Sequence, residues 1–169
     1  MTYDQARLII KDGDIVFIST ATPSLVGRII TAVTGSPFTH VCIAFWIVVG
    51  GKSRLMCVEA QGGTSRRIIN LSYYSNKNIV VVIPPPSWEM ACDPALSKVA
   101  TVPYGWGEAA YVGLRDVASR RFNIKLPKKN LEHEICSEFV ADVYSLANAC
   151  VSPGDLYKEL EALGCTKRQ

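Results

Sequence analysis

The 169-residue chain carries 18 basic and 15 acidic side chains for a net charge of +3, with 49% hydrophobic and 20% charged residues. This balance fits one folded domain, residues 1–169, with a substantial core, and it excludes a disordered chain, which is poor in apolar residues and rich in net charge. With no basic stripe and no stacking motif, so small an excess also argues against a nucleic-acid partner; Arg66-Arg67, Arg120-Arg121 and Lys128-Lys129 read as solvated pairs.

The N-terminal run Met1-Thr2-Tyr3-Asp4-Gln5-Ala6-Arg7 lacks the basic, apolar and small-residue segments of a signal peptide, so a cytoplasmic location is expected. Residues 3–10 form a short helical stretch, and Lys11-Asp12-Gly13-Asp14 is turn chemistry leading into an apolar strand at residues 15–18. Leu25, Val26, Ile29, Ile30 and Val33 recur at helical spacing, with Gly35 as the stop. Residues 38–49 are β-branched and apolar, Gly50-Gly51 turns the chain, and residues 54–60 return as the second arm of a hairpin. Its longest apolar run, residues 41–49, is less than half of the roughly 20 residues that a membrane span needs.

Further strands are expected at residues 64–71 and 78–83, the latter ended by three prolines. From Asp93 the pattern turns helical, at residues 95–102, 107–122, 136–149 and 153–163. The last is well punctuated by Ser152 as cap, Pro153 in the first turn and Gly164 as terminator. Six cysteines (42, 57, 92, 136, 150 and 165) form no C-x-x-C pair. A reducing compartment is expected, with no disulfide framework, no metal and no cofactor.

Cys136 stands in the first turn of a predicted helix, where unpaired N–H groups and a partial positive charge favour a thiolate. The N–H groups of residues 136–138 are available to an anion, and that of Cys136 itself suits an oxyanion. His40 lies in the strand Thr39-His40-Val41-Cys42-Ile43-Ala44, whose alternation puts His40, Cys42 and Ala44 on one face. The small Cys42 and Ala44 leave room there for a helix to approach. An imidazole base works best with its second nitrogen held by an acceptor. Glu59, the lone acid in Leu55-Met56-Cys57-Val58-Glu59-Ala60, is one such holder; Gln61 and Asp14 are alternatives that spacing does not separate. Taken singly, each of these residues also reads as packing or as an edge-strand charge. His133, three residues before Cys136, is a weaker candidate base because it lies in a charged loop.

The segments Val102-Pro103-Tyr104-Gly105-Trp106-Gly107 and Ile135-Cys136-Ser137-Glu138-Phe139-Val140 resemble the P-Y-x-W-G and C-S-x-hydrophobic-V motifs of NlpC-type cysteine peptidases, a papain-like superfamily. The histidine strand and Val58-Glu59-Ala60 precede the cysteine helix, an order that resembles the circularly permuted branch with YiiX-like hydrolases and, more distantly, lecithin retinol acyltransferase relatives. The resemblance implies an α+β, papain-like fold, with an antiparallel sheet from the N-terminal half packed against helices from the C-terminal half. It also implies Cys136 as nucleophile, His40 as base and Glu59 as the orienting residue, with Tyr104 and Ser137 as oxyanion or substrate contacts. Departures from the family pattern are Gly107-Glu108 in place of a double glycine and a helical insert before Cys136.

The expected activity is therefore hydrolysis of an amide or ester through an acyl-cysteine. The resemblance implies a peptide or amide substrate, cell-wall (peptidoglycan) peptide among the candidates if a phage particle or secretion machine delivers the protein. Two alternatives are an acyltransferase using a lipid donor and a non-catalytic binding or virion assembly module that keeps the fold.

Overall fold

The computed structural model describes residues 1–19, 28, 31–32, 35–61, 66–85, 87–97, 99, 135–146 and 152–169. Within them the chain is α+β, built from a five-stranded antiparallel sheet and four α-helices. Helix α1 (Tyr3–Ile9) begins at a capping box in which the Thr2 hydroxyl accepts from the Gln5 N–H and the Gln5 side chain accepts from the Thr2 N–H. The strands are β1 (Ile15–Ser19), β2 (Phe38–Val49), β3 (Lys52–Ala60), β4 (Arg66–Asn70) and β5 (Asn78–Val82), in the order β4-β3-β2-β1-β5. A 3-10 turn, Leu71–Tyr74, links β4 to β5. Helices α2 (Trp88–Ser97), α3 (Cys136–Val143) and α4 (Pro153–Ala162) follow.

The hairpin turns where the glycines require it: Gly50 and Gly51 have φ of 57° and 72°, the left-handed pair of a two-residue turn whose twist matches the strands. Gly13 is needed for a second reason. Its φ is 85°, and a Cβ there would meet the Trp88 Cβ at 2.8 Å.

Because β1 and the middle of β2 are covered on both faces, they are continuously apolar. One face presents Phe17, Val41, Ile43, Phe45 and Val58 to Phe139, Val140 and Val143 of α3 and to Leu156 and Leu160 of α4. The other presents Val16, Ile18, Cys42, Ala44 and Cys57 to Ala6 and Ile10 at α1 and to Leu71 and Tyr74 of the 3-10 turn. The room expected for a helix over Cys42 and Ala44 is taken by α1 rather than by the helix that carries Cys136. Those small residues make room for α1 and the 3-10 turn, and α3 lies on the opposite face.

The chain end covers the outer edge of the sheet. Lys167 bridges Val82, the Ile83 N–H donates to the Thr166 carbonyl at 3.0 Å, and the Arg168 N–H donates to the Val81 carbonyl at 2.9 Å. The Arg168 guanidinium then forks onto buried Asp14, Nε to Oδ2 at 2.5 Å and Nη2 to Oδ1 at 2.7 Å. None of the described helices is long and apolar enough to cross a membrane.

Several boundaries differ from the sequence reading. Helix α2 starts at Trp88 and carries Pro94 within it, whereas helical periodicity was expected only from residue 95. Proline here removes one N–H bond without ending the helix. Helix α3 stops at Val143, six residues before its expected end, and Ser145 follows with φ of 51°. The expected helix at residues 107–122 and most of that at residues 25–33 lie outside the described residues.

Candidate active site

The site forms where the central hairpin divides. Pairing between β2 and β3 runs from Val49↔Lys52 to Ile43↔Val58. Past that point β2 stays paired with β1 as far as Phe38, and β3 stays paired with β4 as far as Ala60↔Arg66. His40 lies on the first branch and Glu59 on the second. Across this fork the His40 Nε2 meets the Glu59 Oε2 at 2.8 Å. A register shift between Ile18 and Ser19 makes Thr39 an extra residue in β2, a bulge that re-aims the histidine beside it.

Glu59 is fully buried, and each of its oxygens has a donor besides His40 or in its place. The Tyr74 hydroxyl donates to Oε2 at 2.6 Å, and the Arg67 Nε donates to Oε1 at 2.8 Å. Arg67 also donates through Nη2 to the Gln61 side-chain oxygen. The Tyr74 ring lies 5.7 Å from that of His40, tilted by 34°. Burial alone would raise the Glu59 carboxyl; the bond and charge of His40, then the Tyr74 and Arg67 bonds, outweigh it and hold the group below its ordinary 4.5.

Cys136 is the first residue of α3 and is 7% exposed. Ile135 precedes it in extended conformation and offers no side-chain acceptor, while the Glu138 carboxylate accepts from the Ile135 N–H at 3.3 Å. Ile135 thus gives the first-turn N–H groups of α3 no side-chain acceptor, and N–H groups at a helix start suit an anion. Although α3 packs on the face opposite Cys42, the open fork lets its terminus meet the imidazole. Burial would lower the His40 pKa. The charge and hydrogen bond of the Cys136 sulfur, followed by those of Glu59, reverse this and push it up to about 10. With Nε2 on Glu59, Nδ1 is the ring nitrogen left for the thiol.

Of the three candidate holders of His40, the structure brings Glu59 to the ring and engages the other two elsewhere. Gln61 accepts from Arg67, and Asp14 accepts from Arg168 and from the Lys11 N–H at 2.8 Å. Ser137 is fully buried, and its Oγ has no hydrogen-bond partner among the described residues. Tyr104 and His133 lie outside the described residues.

Arg66-Arg67 corrects the sequence reading, which took both as solvated. Arg66 is 3% exposed with its guanidinium 4.8 Å from the centre of the Phe139 ring, and Arg67 binds Glu59. Arg67 and Tyr74 are thus the site residues that the sequence reading missed. The signal available was an arginine at the start of a strand beside one ending in a buried acid. Cys42, Cys57 and Glu59 bring ligand-type atoms within 4.8 Å of one another. With the carboxylate already accepting three bonds and the Cys42 thiol pushed well up by burial and by Cys57, the chemistry there favours a neutral Cys42 thiol over a metal ligand. No protein-family model matches this chain, and no curated protein matches it either.

Proposed function

We propose that the protein is a thiol hydrolase that cleaves an amide or ester bond through an acyl-cysteine intermediate, on a permuted papain-like fold. The observation that supports this best is the 2.8 Å bond from His40 to buried Glu59, made beside a cysteine that opens a helix. The charge on Glu59 and the sulfur of Cys136 both favour a protonated ring, the state required of a general acid.

In this reading the Cys136 sulfur adds to the substrate carbonyl carbon while the Cys136 N–H receives the oxyanion. Collapse of the tetrahedral adduct breaks the carbonyl bond to nitrogen or oxygen. The leaving group takes its proton from His40, and a thioester to Cys136 remains. Neutral His40 then removes a proton from water, the resulting hydroxide adds to the thioester, and expulsion of the sulfur releases the acid. Glu59 holds the ring in one tautomer through both steps. The resemblance of the Tyr104 and Cys136 segments to NlpC-type peptidases, and not the acyl-cysteine chemistry, supports a peptide, isopeptide or related amide as the substrate class.

Mixing the protein with a p-nitrophenyl acyl ester and following intact mass tests the proposal. An acyl adduct that maps to Cys136, decays with time and is missing from Cys136→Ala is expected. An adduct on another cysteine, or none, would remove Cys136 from the role.

A further inference from the structure

Beneath the Cys136, His40 and Glu59 reading, and resting on it, lies a second set of contacts that no catalytic step uses. Glu59 sits at 0% exposure, yet it is saturated on both oxygens. Oε2 takes the His40 Nε2 and the Tyr74 hydroxyl, and Oε1 takes the Arg67 Nε. The donors come from separate elements, β2, the 3-10 turn and β4, so they fix the carboxylate plane from different directions. Arg67 is itself located by Gln61 and by the Tyr73 ring, 5.6 Å from its guanidinium carbon. The 3-10 turn that carries Tyr74 is also secured, because the Asn70 side chain accepts from the Ser72 N–H at 2.9 Å.

We propose that Arg67 and Tyr74 are positioning residues for the reaction: they clamp Glu59 as a carboxylate with Oε2 aimed across the fork, and so keep the His40 ring oriented toward Cys136. A carboxylate in so dry a site would otherwise take up a proton or swing to whichever donor is nearest. An isolated glutamate–histidine pair across an open fork has nothing to fix its torsion. The clamp supplies that, and it places the charge without exposing it to solvent. Among the described residues, the ionisable and charged groups facing the pair are Cys136 from α3, Arg67 from β4, Tyr74 from the 3-10 turn, Cys42 from β2 and Cys57 from β3. Of these, Arg67 is the cation, and both it and Tyr74 act on Glu59 in the same direction, favouring its ionised form.

The test needs no substrate. The chain has two histidines, so the 13Cε1 signal of His40 is assigned by comparison with His133→Gln, and glutamate labelled at Cδ reports Glu59 directly. In Tyr74→Phe and in Arg67→Met the acid-side inflection of Glu59 is expected to rise by about one pH unit, a tenfold change in proton affinity, with His40 following it. Arg67→Lys, which restores charge but not the forked geometry, is expected to fall between Arg67→Met and wild type. An unmoved inflection in the folded Tyr74→Phe protein, which loses a single hydroxyl, would overturn the clamp whatever the fate of the arginine variants. The comparison of Tyr74→Phe with its parent is repeated on a Cys136→Ala background. If the inflection moves there while wild-type Cys136 forms no acyl adduct, the clamp stands and the hydrolase reading falls; if adducts form normally and the inflection is fixed, the reverse holds.

Discussion

Replacing Glu59 by glutamine keeps the side chain's shape and removes its charge, which separates orientation of His40 from mere packing. The wild-type carboxylate accepts three hydrogen bonds, from His40, Tyr74 and Arg67, two of them from groups that can carry positive charge. Hydrogen bonds to charged groups contribute about 1.5–3 kcal/mol each, and an amide retains one acceptor while turning an NH2 toward a donor. Arg67 is 30% exposed and regains water when its partner is lost, so its share is discounted. The net cost is then about 3 kcal/mol, a fall of roughly 6–12 °C in unfolding midpoint for a chain of this size. The catalytic cost is of similar size, since a neutral holder neither enforces the tautomer nor stabilises imidazolium; a fall of about 10²–10³ in kcat/KM on the acyl ester is expected.

The pH profile supplies the sharper test of the same variant. His40 is raised to about 10 by Cys136 and Glu59, so the alkaline limb of kcat/KM, where the general acid loses its proton, is expected near that value in wild type. In Glu59→Gln it moves down toward the ordinary 6.5, part of the way because the Cys136 contribution remains. Circular dichroism and a thermal melt establish that the variant folds. A folded Glu59→Gln protein with wild-type rate and an unmoved alkaline limb would refute the reasoning that assigns Glu59 to His40.

Three further outcomes follow from the same contacts. Cys136→Ala removes one sulfur at a helix start and is expected to melt within a few degrees of wild type while forming no acyl adduct; a normal adduct in that variant would exclude Cys136. Arg168→Ala breaks the fork on Asp14, which is 1% exposed, and leaves a buried carboxylate without its cation, so denaturant unfolding is expected to register a loss of about 3 kcal/mol; a change below about 0.5 kcal/mol would mean the tail is not pinned there. Since the Glu59 pKa is depressed below 4.5 on folding, its contribution to stability is fully present above pH 4.5 and is lost as pH falls through the folded value. Denaturant midpoints measured downward from pH 5 are therefore expected to fall less steeply in Glu59→Gln than in wild type, and parallel curves would contradict this.

How far the sequence discloses this architecture depends on the range of the interaction. The hairpin was legible because β-branched alternation and Gly50-Gly51 are local signals, and α4 because Ser152 and Pro153 announce its start. Glu59 stood out because a lone acid among apolar strand residues needs a partner. The identity of that partner, by contrast, depends on the fork between β2 and β3, which is a property of the sheet and not of either strand. Arg67 and Tyr74 were hidden for the same reason, since an arginine beside another arginine looks solvated until the register Glu59↔Arg67 is known. Which helix covers which face of β2 was illegible as well. Val41 and Ile43 on one side and Cys42 and Ala44 on the other are all apolar, so alternation gives two faces without naming their occupants.

The most direct test of the central claim is the alkylation of the folded protein by iodoacetamide across a pH series, with each modified cysteine located by mass spectrometry in wild type and in His40→Ala. The account predicts that Cys136 is the fastest-modified cysteine at neutral and mildly acidic pH and that this advantage disappears in His40→Ala. If Cys136 reacts no faster than the other cysteines, or equally fast without the histidine, the Cys136–His40 pair is not a primed nucleophile and the proposed function is wrong.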